Sequence, residues 1–192
     1  MADRILILPG LNGSGPGHWQ SLWQRRHPEY ERVEVPDWAV PDLGEWSWSL
    51  DRAIRARTGS VLLVAHSFGS LVALHLIGIS GAGIAGALLV APADPERFGL
   101  EDELPAHPLD VPTVVVASRN DPWFDFGKVR ALAGALGSGF IDLGDAGHIN
   151  EESGYGEWPE GEGLLQQISG GRSGGPGLAR PVEPGLAALA RL

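Results

Sequence analysis

Three residues that could work together in nucleophilic catalysis follow one another along this chain: Ser67, Asp121 and His148. A serine hydroxyl is a poor nucleophile at neutral pH, so it needs a neighbouring base, and the base needs an acid that orients it. Each of the three comes shortly after an apolar segment that is typical of a strand. Nucleophile first, acid second and base third is a recurrent order for such a triad. The spacing therefore predicts acyl-transfer chemistry if the fold brings the three side chains together.

The segment around Ser67 is typical of a sharp turn between a strand and a helix. Residues 61–64 are consecutive aliphatic residues, which indicate a buried strand, and the apolar run after the turn suits a buried helix. Ala65 and Gly69 lie two positions either side of Ser67, and their small size lets the two elements pass closely. Such a nucleophile elbow exposes the serine and lets the next backbone N–H, that of Phe68, bind an oxyanion. The usual pattern has glycine in place of Ala65, and the bland alternative is a buried serine that caps a helix.

The candidate acid and base lie in loops that should be neighbours. Asp121 belongs to an Asn-Asp-Pro turn and His148 to the segment 145–150, each after a predicted strand. One helix and one strand separate them, which places both loops at the same edge of a parallel sheet. Asp94 also follows a strand and is the alternative acid. Asp121 is favoured because its compact turn lies one helix–strand unit before His148.

Five further histidines compete with His148 for the role of base. His66 is adjacent to Ser67 but should point away from its hydroxyl at a tight turn. His18 follows a glycine-rich loop and is a candidate for the lining of the substrate pocket. The remaining ones are expected to be structural or surface residues: His27, His75 and His107. No two histidines have metal-ligand spacing, which predicts that there is no metal site.

A glycine-rich loop, residues 9–17, follows the first predicted strand. In a hydrolase this loop supplies the second oxyanion N–H, which we assign to Leu11, with Asn12 as the alternative donor and a candidate substrate contact. In a dinucleotide-binding protein the loop would instead cradle a pyrophosphate. The glycines lack the Gly-x-Gly-x-x-Gly spacing, and no Gly-Lys-Ser/Thr ending follows them. The loop is therefore predicted to bind an oxyanion, with no cofactor.

Seven tryptophans are many for a chain of 192 residues. Trp19, Trp23 and Trp46 fall on helical faces and are predicted to lie in the core. Trp38 and Trp123 follow strands, at the edge where the candidate triad should lie. Trp123 comes directly after the acid turn and is predicted to wall the substrate pocket. The alternative is that both of these tryptophans only cover the end of the sheet.

Predicted strands and helices alternate along the chain, which is the signature of an α/β protein with helices on both faces of a mostly parallel sheet. The predicted strands are residues 4–8, 33–35, 61–64, 84–91, 111–117 and 140–143, and the predicted helices are 18–26, 42–57, 71–77, 126–136 and 164–168. No insertion is long enough for a lid or cap domain. The sequence therefore predicts one three-layer domain over residues 1–169.

The composition excludes several classes of function. The net charge of −10 argues against nucleic-acid binding, because phosphates require a basic surface. The chain has no cysteine, and so no disulfide framework or thiolate metal site. No apolar stretch has membrane-spanning length, and the first residues lack the features of a signal peptide. These features favour a cytoplasmic protein without a nucleic-acid or membrane partner, and they leave the oligomeric state open.

The composition changes from Gly170 onward, where glycine and proline become frequent. Such a segment cannot bury a core, so residues 170–192 are predicted to form a flexible tail. The alternative is that three leucines near its end dock on a groove of this or a neighbouring subunit: Leu186, Leu189 and Leu192.

Taken together, these motifs resemble the small cap-less serine hydrolases related to retinoblastoma-binding protein 9 and the bacterial YdeN-like proteins. The resemblance runs from about Arg4 to Ile168 and is carried by Pro9-Gly10 with Gly17-His18-Trp19, Pro36-Asp37-Trp38, His66-Ser67-Phe68-Gly69, Asn120-Asp121-Pro122 and Gly147-His148-Ile149-Asn150. It implies an α/β-hydrolase fold without a cap, with Ser67 as nucleophile, Asp121 as acid and His148 as base. The tail beyond Ser169 lies outside the pattern.

The expected function is that of a cofactor-free serine hydrolase of the carboxylesterase type. Its partner would be a small molecule with an acyl group, which Ser67 attacks to form an acyl-enzyme. The alternative from another class is a binding or scaffold protein on a hydrolase fold, because a fold does not determine a function.

Overall fold

An entirely parallel six-stranded sheet forms the centre of the chain, which the computed structural model describes from residue 4 to residue 170. Its strands are, in chain order, β1 (Arg4–Leu8), β2 (Glu31–Arg32), β3 (Val61–His66), β4 (Ile84–Val90), β5 (Thr113–Ala117) and β6 (Gly139–Asp142). Across the sheet they lie in the order β2-β1-β3-β4-β5-β6. The helices are α1 (Trp19–Arg26), α2 (Leu43–Arg55), α3 (Phe68–Ile79), α4 (Phe126–Ala135) and α5 (Pro159–Gly170). The predicted α/β class is confirmed.

The helices cover both faces of the sheet because the side chains of each strand alternate between two apolar clusters. In β3, Leu63 belongs to the cluster formed with α2, α3 and α4, and Val64 to the cluster formed with α1 and α5. Burial on both faces explains why the strands are continuous apolar runs rather than alternating ones. The tryptophans predicted to be in the core are buried there: Trp19, Trp23 and Trp46.

The candidate site lies where the strand order reverses. β1 and β3 are neighbours in the sheet although β2 lies between them in sequence, and ligands bind at such switch points outside the carboxyl ends of the strands. Leu8 at the end of β1 pairs with Ala65 near the end of β3. The glycine-rich loop and Ser67 therefore leave the sheet side by side. Further along the same edge, His66 at the end of β3 pairs with Val90 at the end of β4.

The second strand is wrongly placed in the sequence prediction. Residues 33–35 were expected to pair, but β2 consists of Glu31–Arg32, and Val33 adds one further bond, from its N–H to the Ile7 carbonyl at 2.9 Å. β2 is the edge strand, and it stops short of Pro36, which has no N–H to donate. Val33 is apolar because it is buried in the core, and not because it belongs to the paired part of the strand.

The last helix is longer than the predicted 164–168, since α5 extends over Pro159–Gly170. Pro159 is its first residue, a position where proline loses no hydrogen bond of the helix. The loop between β4 and β5 holds two short 3₁₀ helices, Pro95–Phe98 and Glu101–Glu103, and no cap domain.

Apart from Gly170, the predicted tail lies outside the described residues. Within residues 4–170, no helix combines the length and apolar character that crossing a membrane would require.

Candidate active site

Ser67 lies on a sharp turn between β3 and α3. Its φ of 52° and ψ of −123° are rare for a residue with a side chain, cost about 1–3 kcal/mol, and are typical of functional sites. The Ser67 N–H donates to the Val90 carbonyl at 3.0 Å and so fixes the turn on β4. Gly69 has to be glycine, because a β-carbon there would overlap the carbonyl groups of Leu8 and Pro9. The sequence pattern around Ser67 thus folds into the predicted elbow.

The glycine-rich loop passes directly against Ser67. A β-carbon on Gly10 would lie 2.7 Å from the Cβ of Ser67 and 3.3 Å from its Oγ, so a larger residue could not approach this closely. The Asn12 N–H donates to the Trp38 carbonyl at 2.8 Å. In the described part of the chain, the Leu11 N–H has no such acceptor. Of the two candidate donors in this loop, Leu11 is therefore the one whose N–H is available to a ligand.

Phe68, the residue after Ser67, is the first residue of α3. The first N–H groups of a helix have no partner inside it, and the positive end of the helix dipole favours an anion there. The Phe68 ring is fully buried and packs edge-on against Trp46, with ring centres 5.1 Å apart. This packing holds the Phe68 backbone in place, so that its N–H is a second donor next to Ser67.

His148 connects Ser67 to Asp121. Its Nε2 lies 2.9 Å from the Ser67 Oγ, and its Nδ1 lies 3.0 and 2.9 Å from the two carboxylate oxygens of Asp121. The Asp121 carboxylate also accepts the Trp123 N–H at 2.9 Å, which fixes its orientation. Only 10% of the His148 side chain and 4% of the Asp121 side chain are exposed, so water competes little for these bonds. The structure thus brings the three predicted residues together.

Asp94, the alternative acid, is the N-cap of a short helix. Its side chain accepts the Glu96 N–H at 3.1 Å and caps the 3₁₀ helix Pro95–Phe98. It makes no hydrogen bond with His148 in the described chain. Of the two acids that follow strands, Asp121 is the one bonded to the histidine.

Two residues that the sequence reasoning missed join the loop of the acid to the loop of the base. The side-chain oxygen of Asn120 accepts the Gly147 N–H at 2.7 Å and the Ser118 hydroxyl at 2.8 Å. The Ser118 hydroxyl in turn accepts the Ala146 N–H at 2.9 Å. The only signal in the sequence is the position of Asn120 directly before Asp121, within the predicted Asn-Asp-Pro turn.

His66 is buried and points away from the Ser67 hydroxyl, as expected at a tight elbow. Its Nε2 lies 2.9 Å from the backbone carbonyl of His148 and donates to it. Burial, followed by the neighbouring imidazoles of His148 and His18, lowers the pKa of His66 well below its usual 6.5. His66 is therefore neutral at physiological pH.

His18 caps α1 and packs against His66. Its Nδ1 accepts the Gln20 N–H at 3.2 Å, and its ring centre lies 4.9 Å from that of His66. Burial, followed by the charges of Arg32 and His148, lowers the pKa of His18 to about 4. Because Nδ1 accepts, the proton sits on Nε2, which is buried without a hydrogen-bond partner in the described chain.

The low pKa of His18 predicts a pH-dependent stability. Between pH about 4 and 6.5 the unfolded chain binds more protons at this site than the folded chain, so the free energy of unfolding decreases as the pH falls through this range. Asparagine also caps helices but does not titrate. We therefore expect His18→Asn to reduce the loss of stability between pH 7 and pH 4.5 by up to about 2 kcal/mol. Urea unfolding of the wild type and of His18→Asn at the two pH values measures this difference. An equal loss in the free energy of unfolding for both proteins would contradict the low pKa of His18.

The three candidate substrate contacts lie in different environments. Trp123 is 52% exposed at the rim, with its ring centre 6.3 Å from that of His148 and the Arg97 guanidinium 5.3 Å above it. Asn12 is exposed on the glycine-rich loop, whereas His18 is buried. Trp38, in contrast, packs over Gly13 and against the core. Of these residues, Trp123 and Asn12 are the ones that a substrate can reach from solvent.

Comparisons with known proteins show the family and the fold of the chain. The family model described as serine hydrolase matches residues 5–167. A protein from Pectobacterium atrosepticum described as a YdeN-like hydrolase has a solved structure that is 41% identical, with a TM-score of 0.86 over 88% of this chain and 91% of its own. The ydeN gene product of B. subtilis is 20% identical, with a TM-score of 0.71 over 86% and 98% of the two chains. Mouse alpha/beta hydrolase domain-containing protein 10 is 12% identical, with a TM-score of 0.65 over 88% and 89%.

No curated protein sequence matches the chain significantly. The two structures at 20% and 12% identity show a shared α/β-hydrolase fold, and the 41% identical structure confirms the resemblance to YdeN-like proteins. Both the family model and that structure cover most of the domain that contains the site. The chain belongs to the serine hydrolase family.

Proposed function

We propose that the protein hydrolyses small carboxylic esters through an acyl-enzyme on Ser67. The proposal is carried by one observation: the unbroken path of hydrogen bonds from the Ser67 hydroxyl through His148 to Asp121. This path has the geometry that makes a serine nucleophilic, with the base within 2.9 Å of the hydroxyl. Family membership supports a hydrolase over the scaffold alternative.

In the acylation step, His148 Nε2 accepts the proton of Ser67 while Oγ forms a bond to the ester carbonyl carbon. Asp121 holds the proton on Nδ1, so that Nε2 has a lone pair before the step and the imidazolium is stabilised after it. The N–H groups of Leu11 and Phe68 stabilise the oxyanion. His148 then gives its proton to the departing alcohol as the carbon–oxygen bond breaks.

In the deacylation step, His148 takes a proton from water, and the resulting nucleophile attacks the acyl carbonyl. The carboxylic acid leaves, and the proton returns to Ser67 through Nε2. The substrate contacts that we propose are the exposed ring of Trp123, the side chain of Asn12, and His18 if an occupied site exposes its Nε2–H. A cytoplasmic location and a purely small-molecule partner are part of the same proposal.

Burst kinetics test this function. With p-nitrophenyl acetate in excess, we expect a rapid release of p-nitrophenol equal to one per active site, followed by slower turnover, because deacylation of such esters is the slow step. An acetyl group on the peptide that contains Ser67 should be found by mass spectrometry after acid quenching. Turnover without any acylated enzyme would contradict the mechanism.

A further inference from the structure

Ile149, the residue directly after the base, has a left-handed backbone conformation with a φ of 48°. It is β-branched and fully buried, and a positive φ is a genuine outlier for such a residue. A strained conformation of this kind persists only where its surroundings enforce it. The strain lies one peptide bond from His148, so the groups that hold this backbone also set the position of the imidazole.

Two buried aromatic N–H groups hold this backbone by its consecutive carbonyls. His66 Nε2 donates to the His148 carbonyl at 2.9 Å, and Trp19 Nε1 donates to the Ile149 carbonyl at 2.9 Å. The Trp19 ring packs edge-on against the His66 ring, with ring centres 6.0 Å apart, so the two donors support each other. We refer to His66 and Trp19 as the carbonyl clamp.

The clamp also suits the charge that develops during catalysis. The His66 ring centre lies 4.9 Å from that of His148. A positive charge at this distance would oppose formation of the imidazolium of His148. Because burial keeps the pKa of His66 low, its ring donates the hydrogen bond while remaining neutral.

We propose that His66 and Trp19 are positioning residues for the base, which hold the peptide groups of His148 and Ile149 so that the imidazole stays within reach of Ser67. This inference rests on the proposed function, since it concerns the base of that reaction. Neither residue bonds to Ser67 or Asp121 in the described chain. They act through the backbone: His66 is 82 residues away in sequence from its acceptor and Trp19 is 130 residues away.

Trp19 and Trp23 provide a matched pair for the test. Both are fully buried in the same aromatic cluster, and each indole N–H donates to a backbone carbonyl at 2.9 Å. Trp19 donates to Ile149 next to the base, whereas Trp23 donates to Glu157. Phenylalanine at either position removes one donor and a similar volume, so the loss of stability should be comparable.

We expect Trp19→Phe to lower kcat about tenfold or more, because small displacements of a catalytic group cost up to about a hundredfold in rate. KM should remain within about threefold, as substrate contacts are unchanged. Trp23→Phe should keep kcat within about twofold. The kcat values are expressed per active site titrated with a fluorophosphonate, so that misfolded protein does not enter the comparison.

His66 provides the second test through a conservative rescue. Glutamine can place an N–H where the His66 Nε2–H lies, whereas methionine has a similar volume and no donor. We expect His66→Met to lower kcat about tenfold or more and His66→Gln to recover most of it, with similar melting temperatures for the two variants.

Equal kcat values for Trp19→Phe and Trp23→Phe, or for His66→Gln and His66→Met, would overturn the clamp while leaving the proposed function intact. A wild-type protein without ester turnover would overturn the proposed function and the clamp together. The two failures are thus distinguished by the wild-type control.

Discussion

Replacing Ser67 with alanine is expected to lower kcat for ester hydrolysis by about 10⁴-fold or more, with the fold retained. The hydroxyl is the group that forms the acyl bond, and its Oγ lies 2.9 Å from Nε2 of His148, the base. Residual rate enhancement should come only from the oxyanion donors and from substrate binding. The measurement is kcat for p-nitrophenyl esters, with circular dichroism and thermal unfolding to show that the protein is folded.

Ser70 provides the control for this substitution. It is the third residue of α3, is fully buried, and its hydroxyl has no hydrogen-bond partner within residues 4–170. Ser70→Ala should therefore leave kcat nearly unchanged, since it removes the same chemical group from a residue that bonds to no member of the candidate triad in the described chain. Activity of Ser67→Ala within tenfold of the wild type would show that Ser67 is not the nucleophile.

Replacing Asp121 with asparagine is expected to lower kcat by up to about 10⁴-fold. The carboxylate accepts from the Nδ1–H of His148 and from the Trp123 N–H. An amide can turn an N–H toward Nδ1 and stabilise the other tautomer, in which Nε2 carries the proton and cannot take one from Ser67. The size of the side chain is almost unchanged, so the effect on folding should be small.

Asp94→Asn is the matched control, because Asp94 was the competing acid in the sequence and asparagine also caps helices. Its carboxylate caps a 3₁₀ helix rather than bonding to His148. We expect this variant to retain at least half of the wild-type kcat. A severe loss in Asp94→Asn with a mild one in Asp121→Asn would place the acid after the other strand.

Most of the fold could be predicted from the sequence because its central strands are covered on both faces. β3 and β4 are short apolar runs of 6 and 7 residues, a length and composition typical of strands that are buried on both faces. The edge strand β2 was misplaced because its paired residues, Glu31 and Arg32, are polar, whereas the apolar Val33 that follows them packs into the core. Apolar character in a sequence indicates which residues are buried. In the central strands the buried residues are also the ones that pair with neighbouring strands, whereas in β2 they are not.

The candidate triad could be predicted because each of its members follows a strand, and parallel strands end at one edge. The contacts that support it could not. Asn120 links two loops through the Gly147 N–H, and Trp19 reaches Ile149 across the domain. Nothing local in the sequence indicates such partners, since they depend on the packing of distant segments.

The choice between Leu11 and Asn12 as oxyanion donor also needed the structure. The sequence places both residues in one glycine-rich loop with equivalent backbone groups. The distinction comes from the Trp38 carbonyl, which takes the N–H of Asn12 and leaves that of Leu11 without an acceptor in the described chain.

The central claim, that Ser67 is a nucleophile activated by His148, is tested most directly by labelling the protein with a fluorophosphonate. This reagent forms a phosphonyl ester with an activated serine and does not react at an ordinary hydroxyl. We expect one adduct per wild-type molecule by intact mass spectrometry, located at Ser67 by peptide mapping, and none on Ser67→Ala. Absence of an adduct on folded wild-type protein, or an adduct that persists in Ser67→Ala, would contradict the claim.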